Sequence, residues 1–290
     1  MNSPAKNPSP DRARPRLTDP RARDHARARA SRLGHADFLH RIAAAEIEDR
    51  LAEINKSFSR AAIITDFPRL WAEYFPAGAM IPSSETLDLP QGLDLVIHAM
   101  TLHWADDPVG QIIQSAAALR PDGLFLAVCP GGETLAELRS VLSAAEIAQS
   151  GGLSPRVLPM GEIRDMGALL GRAGLALPVA DHLRQTVSYR DLFHLAADLR
   201  AMGETNAMEA RLRTPPPRAI FAEAAADYAA RFPDPDDPAR IRATFDLIFL
   251  TGWKPAPGQQ QPLRPGSAQM RLADALGPEK ASPPSPKETP

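Results

Sequence analysis

GLDLVIHAMTLHWADDP, residues 92–108, is the stretch on which the fold turns. A near-continuous apolar run, LDLVIHAM, breaks into a polar turn carrying His103, Trp104, Asp106 and Asp107. Apolar on both faces and bounded by turn residues, such a run reads as a buried strand. Its neighbours fix what kind. DPVGQIIQSAAALRPDG follows, with Asp107 placed to cap a helix, Pro108 suited to its first turn, and PDG as a stop. GLFLAVCP is then a second wholly apolar strand. Buried strands alternating with helices predict a parallel sheet covered on both faces. In such sheets the ligand crevice lies outside the carboxyl ends of the strands. TLHWADDP sits at one of those ends, so topology alone marks it as a site-forming position.

Working outward, residues 35–56 place Phe38, Leu39, Ile42, Ile47, Leu51 and Ile54 near one helical face. SRAAIITDF reads as a short strand ending near Thr65–Asp66, PRLWAEYF as a short helix opened by Pro68, and AGAMIPSSETLDLP as a short strand and loop. Beyond Cys129, GGETLAELRSVLSAAEIAQSGG predicts a long helix, and MGEIRDMGALLGRAGL a shorter one stopped at Gly174. LALPVADHLRQTVSY predicts one or two strands. DLFHLAADLRAMGE and PPRAIFAEAAADYAARF add helices over about 190–232, and RIRATFDLIFLTGWKP is a final strand.

The 290 residues include 44% hydrophobic side chains, enough for a large core, and the net charge of -2 gives no global case for binding nucleic acid or a membrane surface. One cysteine, Cys129, excludes an internal disulfide framework and a multi-cysteine zinc site, and fits a reducing, cytoplasmic setting. No apolar run approaches the roughly 20 residues that span a bilayer. Residues 1–24, MNSPAKNPSPDRARPRLTDPRARD, are rich in proline and arginine and nearly devoid of apolar side chains, so a disordered tail is expected through residue 34. Its acidic residues argue against a transit peptide. Residues 255–290 read mostly as a second tail. The expected domain is 35–254.

In this order the motifs resemble a class I S-adenosylmethionine-dependent methyltransferase. D-L-V, then L-H-W, then L-R-P-D-G and an apolar strand are similar to that fold's fourth strand, the helix after it and its fifth strand. LHWADDPVGQ, LRPDGLFLAV, GGETLAELR, GGLSPRV, GALLGRAGL, DLRAMGE and FLTGWKP resemble one branch more closely. That branch holds the respiratory complex I assembly factor that acts as a protein-arginine hydroxylase, and its bacterial relatives. Biotin-pathway malonyl carrier-protein methyltransferases are more distant cousins. The resemblance implies a Rossmann-like α/β sheet with added C-terminal helices, S-adenosylmethionine as cofactor, and a respiratory complex I subunit as partner. It also implies a place in the cytoplasm, peripheral to the inner membrane through that partner.

One departure from the family is as informative as the matches. Methyltransferases of this class carry a D-x-G-x-G-x-G loop after the first strand, where glycine lets the backbone approach the cofactor. AIITDFPRLW stands there instead, without a glycine. Only about 30 residues separate Asp66 from Val96, and a strand, helix and connection need roughly 20. The sheet is therefore expected to lack one strand–helix unit.

The resemblance makes Thr65, Asp66, Ser84, Glu85, His98, Ala99 and Trp104 the candidates for contact with the cofactor, and His103 and Asp106 the candidates for catalysis. Each has a plainer reading. Trp104 can plug the core, His103 can cap the next helix, and His98 can be a satisfied interior histidine. Asp94 reads as structural, and Gly131–Glu133 as a loop opening the next helix. Arg156, Glu204 and Asn206 read as polar loop positions bordering a protein-substrate groove. Cys129, without a basic partner nearby, reads as an inert buried thiol. No metal site is expected, and His98 and His103 alone could not form one. Two functions remain open: a methyltransferase or family-related arginine hydroxylase, and a non-catalytic assembly factor that has lost the cofactor loop.

Overall fold

The computed structural model describes residues 16–34 and 36–259. The described residues up to Pro257 belong to one compact unit. The expectation for most of the C-terminal tail lies outside the described residues.

Six strands form one sheet: β1 Ala61–Ile64, β2 Ala79–Ile81, β3 Leu93–Ala99, β4 Leu119–Gly131, β5 Ala176–Tyr189 and β6 Ile241–Trp253, in the order β2-β1-β3-β4-β6-β5. β1 pairs in parallel with β2 and β3, and β3 with β4. β6 runs antiparallel to both β4 and β5. The expected parallel sheet is thus found with one reversed strand, β6, because an apolar run carries no record of its direction. Residues 82–92, between β2 and β3, hold neither helix nor strand. That is where the shortened sheet lacks a unit.

The helices are α1 Pro20–Leu33, α2 Phe38–Glu53, α3 Pro68–Tyr74, α4 Pro108–Ala118, α5 Ala136–Ser150, α6 Ile163–Arg172, α7 Leu192–Met202 and α8 Arg218–Arg231, with a short 3-10 turn at Leu102–Trp104. Alternate strand residues feed two cores, as the two-residue repeat of a pleated strand requires. Ile63, Leu95, Ile97, Leu126 and Val128 pack with Ile47, Trp71, Leu195 and Tyr228 on the side of α2, α3, α5, α7 and α8. Ala62, Val96, Phe125 and Ala127 pack with Ile112 of α4 and Leu170 of α6 on the other. Asp94 holds the start of β3 by accepting from the Ser59 and Arg60 backbone amides, both at 2.9 Å, a structural role.

The N-terminal expectation is corrected. Residues 20–33 are helix α1, not tail, and Asp19 caps it by accepting from the Ala22 amide at 3.2 Å, with Pro20 opening the first turn. Ala26 and Ala30 are buried one turn apart, while Arg23, Arg27 and Arg29 reach polar partners. Low hydrophobicity hid the helix. Among its described side chains the buried ones are alanines, which need no large core to dock.

Candidate functional site

At the carboxyl ends of β3 and β4 lies a cavity of about 450 Å³. Its walls are mostly apolar, with Leu39, Met100, Leu138, Leu199 and Phe245 among them, and a polar rim includes His103 and Glu204. Such a concave, largely apolar pocket with a few convergent polar groups is the ordinary form of a binding site.

The rim is built by the turn after β3. Leu102–Trp104 wind into a 3-10 turn that aims two side chains at Glu204, just past the end of α7. Trp104 Nε1 donates to Glu204 Oε2 at 2.7 Å, and His103 Nε2 lies 3.3 Å from the same oxygen. Burial alone would raise the Glu204 carboxyl. His103, Arg27 and the indole N–H outweigh it and hold the group down at about 2. The His103 side chain is only 5% exposed, and its Nδ1 is buried without a hydrogen-bond partner.

Behind the rim, His40 of α2 accepts at Nδ1 from Trp71 Nε1 at 3.1 Å, so its proton sits on Nε2. Burial lowers it to about 4 and keeps it neutral. Neither His40 nor the ion-pair partner Arg27 was singled out by sequence reasoning. His40 falls on the apolar side of α2 and looks like a core position, and Arg27 lay in the segment read as a tail.

The turn after β1 is filled by protein. Thr65 Oγ1 accepts from the Phe67 amide at 3.0 Å. Asp66 accepts from Ser83 Oγ at 2.7 Å and forms an ion pair with Arg27 of α1. The Phe67 ring packs 4.2 Å from that of His40, and Trp71 is fully buried beneath them.

The other sequence candidates are engaged elsewhere. His98 is sealed inside, with Nε2 donating to Gln111 Oε1 at 2.7 Å and Nδ1 accepting from Thr101 Oγ1 at 3.0 Å. Burial lowers it to about 4. Ala99 is buried at the end of β3. Ser84 Oγ donates to the Thr86 carbonyl, and Glu85 Oε1 accepts from the Asp106 amide at 3.3 Å. Asp106 itself is occupied as an anchor: its Oδ1 accepts from the backbone amides of Leu17 at 2.7 Å and Thr18 at 3.0 Å. Asp107 caps α4 by accepting from Gly110 at 2.8 Å. Gly132, at a φ of +49°, lies where a Cβ would come within 2.5 Å of the buried Asp246 carboxylate, so that glycine serves packing. Arg156 is bound bidentately by Glu146 at 2.9 and 2.6 Å, and Asn206 donates to the Pro155 carbonyl at 2.8 Å. Cys129 is buried and pushed up to about 12 by burial, as an inert thiol would be. No cluster of potential metal ligands occurs among the described residues. Likewise, no described helix is long and apolar enough to cross a membrane.

Four neighbouring parallel strands, one reversed strand and a pocket at the carboxyl ends define the fold: Rossmann-like α/β, of the class I methyltransferase type. In sequence, the chain is a homologue of curated arginine-hydroxylases and O-methyltransferases. It is 39% identical over 187 residues to arginine-hydroxylase NDUFAF5, mitochondrial, of Dictyostelium discoideum, covering 64% of this chain and 42% of that protein. It is 29% identical over 250 residues to a malonyl-[acyl-carrier protein] O-methyltransferase of Laribacter hongkongensis, covering 83% of this chain and 81% of that one. The chain spans about half the length of the arginine-hydroxylases it matches, from 42% to 61%. A solved S-adenosylmethionine-dependent methyltransferase from Archaeoglobus fulgidus aligns over 74% of this chain and 94% of its own at a TM-score of 0.36 and 11% identity. No family model matches.

Proposed function

We propose that this methyltransferase-like chain acts by binding a partner, a respiratory complex I subunit, as an assembly factor rather than by transferring a methyl group. The observation that carries the reading is the filled turn after β1. S-adenosylmethionine held there would need the backbone of residues 65–67 to come close, and no glycine lies between residues 35 and 77. Asp66 is already engaged by Ser83 and Arg27, and Phe67 occupies space against His40. These residues do not fit that cofactor.

What remains is a pocket for a partner's side chains. Its apolar walls favour burial of a hydrophobic segment, and the ionised Glu204 supplies an acceptor at the rim. The protein would work in the cytoplasm, reaching the inner membrane through its partner.

A second reading, an active methyltransferase or arginine hydroxylase, is favoured by the His103–Glu204 pair at the pocket rim. Isothermal titration separates the two. Silence with S-adenosylmethionine and its demethylated product at millimolar concentration, with co-purification of a complex I subunit, is the expected result. Micromolar binding that is lost on His103→Ala would overturn the binding-protein reading.

A further inference from the structure

We propose, on the reading of the cavity as a partner-binding site, that the segment the partner places there carries acidic residues beside its apolar ones, and that Arg29 and Arg200 receive them. The charged side chains of the cavity wall are Arg29, Arg156, Arg200 and Glu204. Two of these are answered within the chain. Glu146 holds Arg156 bidentately, and Trp104 Nε1, His103 and the field of Arg27 offset Glu204. Arg29 and Arg200 are exposed, and neither meets a carboxylate among the described residues. Arg29 donates to the neutral Thr205 Oγ1 at 3.3 Å. The wall therefore presents two cations in excess.

α1 extends that charge along the surface. Arg21, His25, Arg29 and Arg32 recur every three or four residues and so share one helical face, and all four are exposed. Asp24, the acidic residue within the helix, pairs with Arg23 at 3.5 Å. α1 packs against α7, the helix that carries Arg200, and Arg29 joins the basic face to the cavity. The whole chain has a net charge of -2, so the positive excess is local. It attracts an acidic segment and repels a basic one.

A protein segment fits this surface better than a lipid one. A helix that lies on a membrane sets large apolar side chains opposite its basic ones. Among the described side chains of α1 the buried ones, Ala26 and Ala30, are small and face the protein. The receptacle for apolar side chains is instead the cavity, with Leu39, Leu138, Leu199 and Phe245 in its wall. Charge at the wall sets which segment approaches, and apolar burial inside holds it.

Three labelled peptides that share a core of leucines, flanked by glutamates, serines or lysines, test this on the full chain by fluorescence anisotropy. The methyl signals of Met160 and Met202, in the cavity wall, report entry. The glutamate peptide is expected to bind about fivefold or more tightly than the serine peptide, and the lysine peptide most weakly. Arg29→Gln combined with Arg200→Gln, both at exposed positions, should close that gap and leave the serine peptide unchanged. On the unmutated chain, 0.5 M sodium chloride should narrow it too. Equal binding of the glutamate and serine peptides, a preference for lysine, or a gap that the double variant keeps overturns the acidic partner and leaves the cavity as a binding site. Binding with Met160 and Met202 unmoved, or binding of none of the peptides, overturns both. Co-sedimentation with phosphatidylglycerol vesicles that the glutamate peptide does not displace would assign the arginines to a lipid surface and overturn the acidic partner as well.

Discussion

Two turns lie side by side at the carboxyl ends of neighbouring parallel strands, Thr65–Phe67 after β1 and Thr101–Asp107 after β3, and they have opposite fates. Ile64 and His98 are register partners, so the two turns leave the sheet at the same level. After β3, Trp104 and His103 converge on a carboxylate at the rim of a cavity. After β1, an aspartate, a phenylalanine and an arginine from α1 close on one another. Topology sets where a crevice can form, and side-chain volume and pairing decide whether it is open.

The largest expected effect breaks the closed side. Trp71→Ala removes a fully buried indole and the donor to His40, and should cost about 3–5 kcal/mol, read as a drop in the urea midpoint.

Acid should act on both turns, in sequence. His40 and His98 are neutral in the fold at about 4, against 6.5 when free, so the unfolded chain binds protons first. Their contribution is complete above pH 6.5 and is lost as pH falls toward 4. Glu204, lowered from 4.5 to about 2, contributes fully above 4.5 and loses its contribution as pH falls through 2. Thermal midpoints across this range should fall from pH 6.5 downward. Replacing His98 by Gln should flatten the upper part of the fall, and Glu204→Gln the lower.

Asp106→Ala should cost about 1 kcal/mol, by freeing the amides of Leu17 and Thr18, and loosen residues 17–19 in hydrogen exchange. If Asp106 is instead a catalytic base, the exchange of those residues will not change. Ser84→Ala, at an exposed position, should stay within about 0.5 kcal/mol by the same urea assay.

The central strands and the helices around them were legible because period and punctuation agree: LDLVIHA, buried for its whole length, is apolar except at Asp94 and His98, and Asp107 with Pro108 starts α4 as expected. The direction of β6 was not legible, since its buried run reads the same both ways. α1 was missed although its start carries Asp19 and Pro20 and its buried face repeats Ala22, Ala26 and Ala30. Five arginines in fourteen residues swamp that signal. For the site, the turn after β3 was visible as a strand end, and the absent glycine was visible as composition. What fills its place was not, because Arg27 and Asp66 are 39 residues apart and nothing local pairs them.

The most direct test follows the backbone amides of Thr65, Asp66 and Phe67 by NMR while S-adenosylhomocysteine is added to millimolar concentration. A closed turn predicts that these signals do not move. Shifts at all three that saturate in the micromolar range would contradict it.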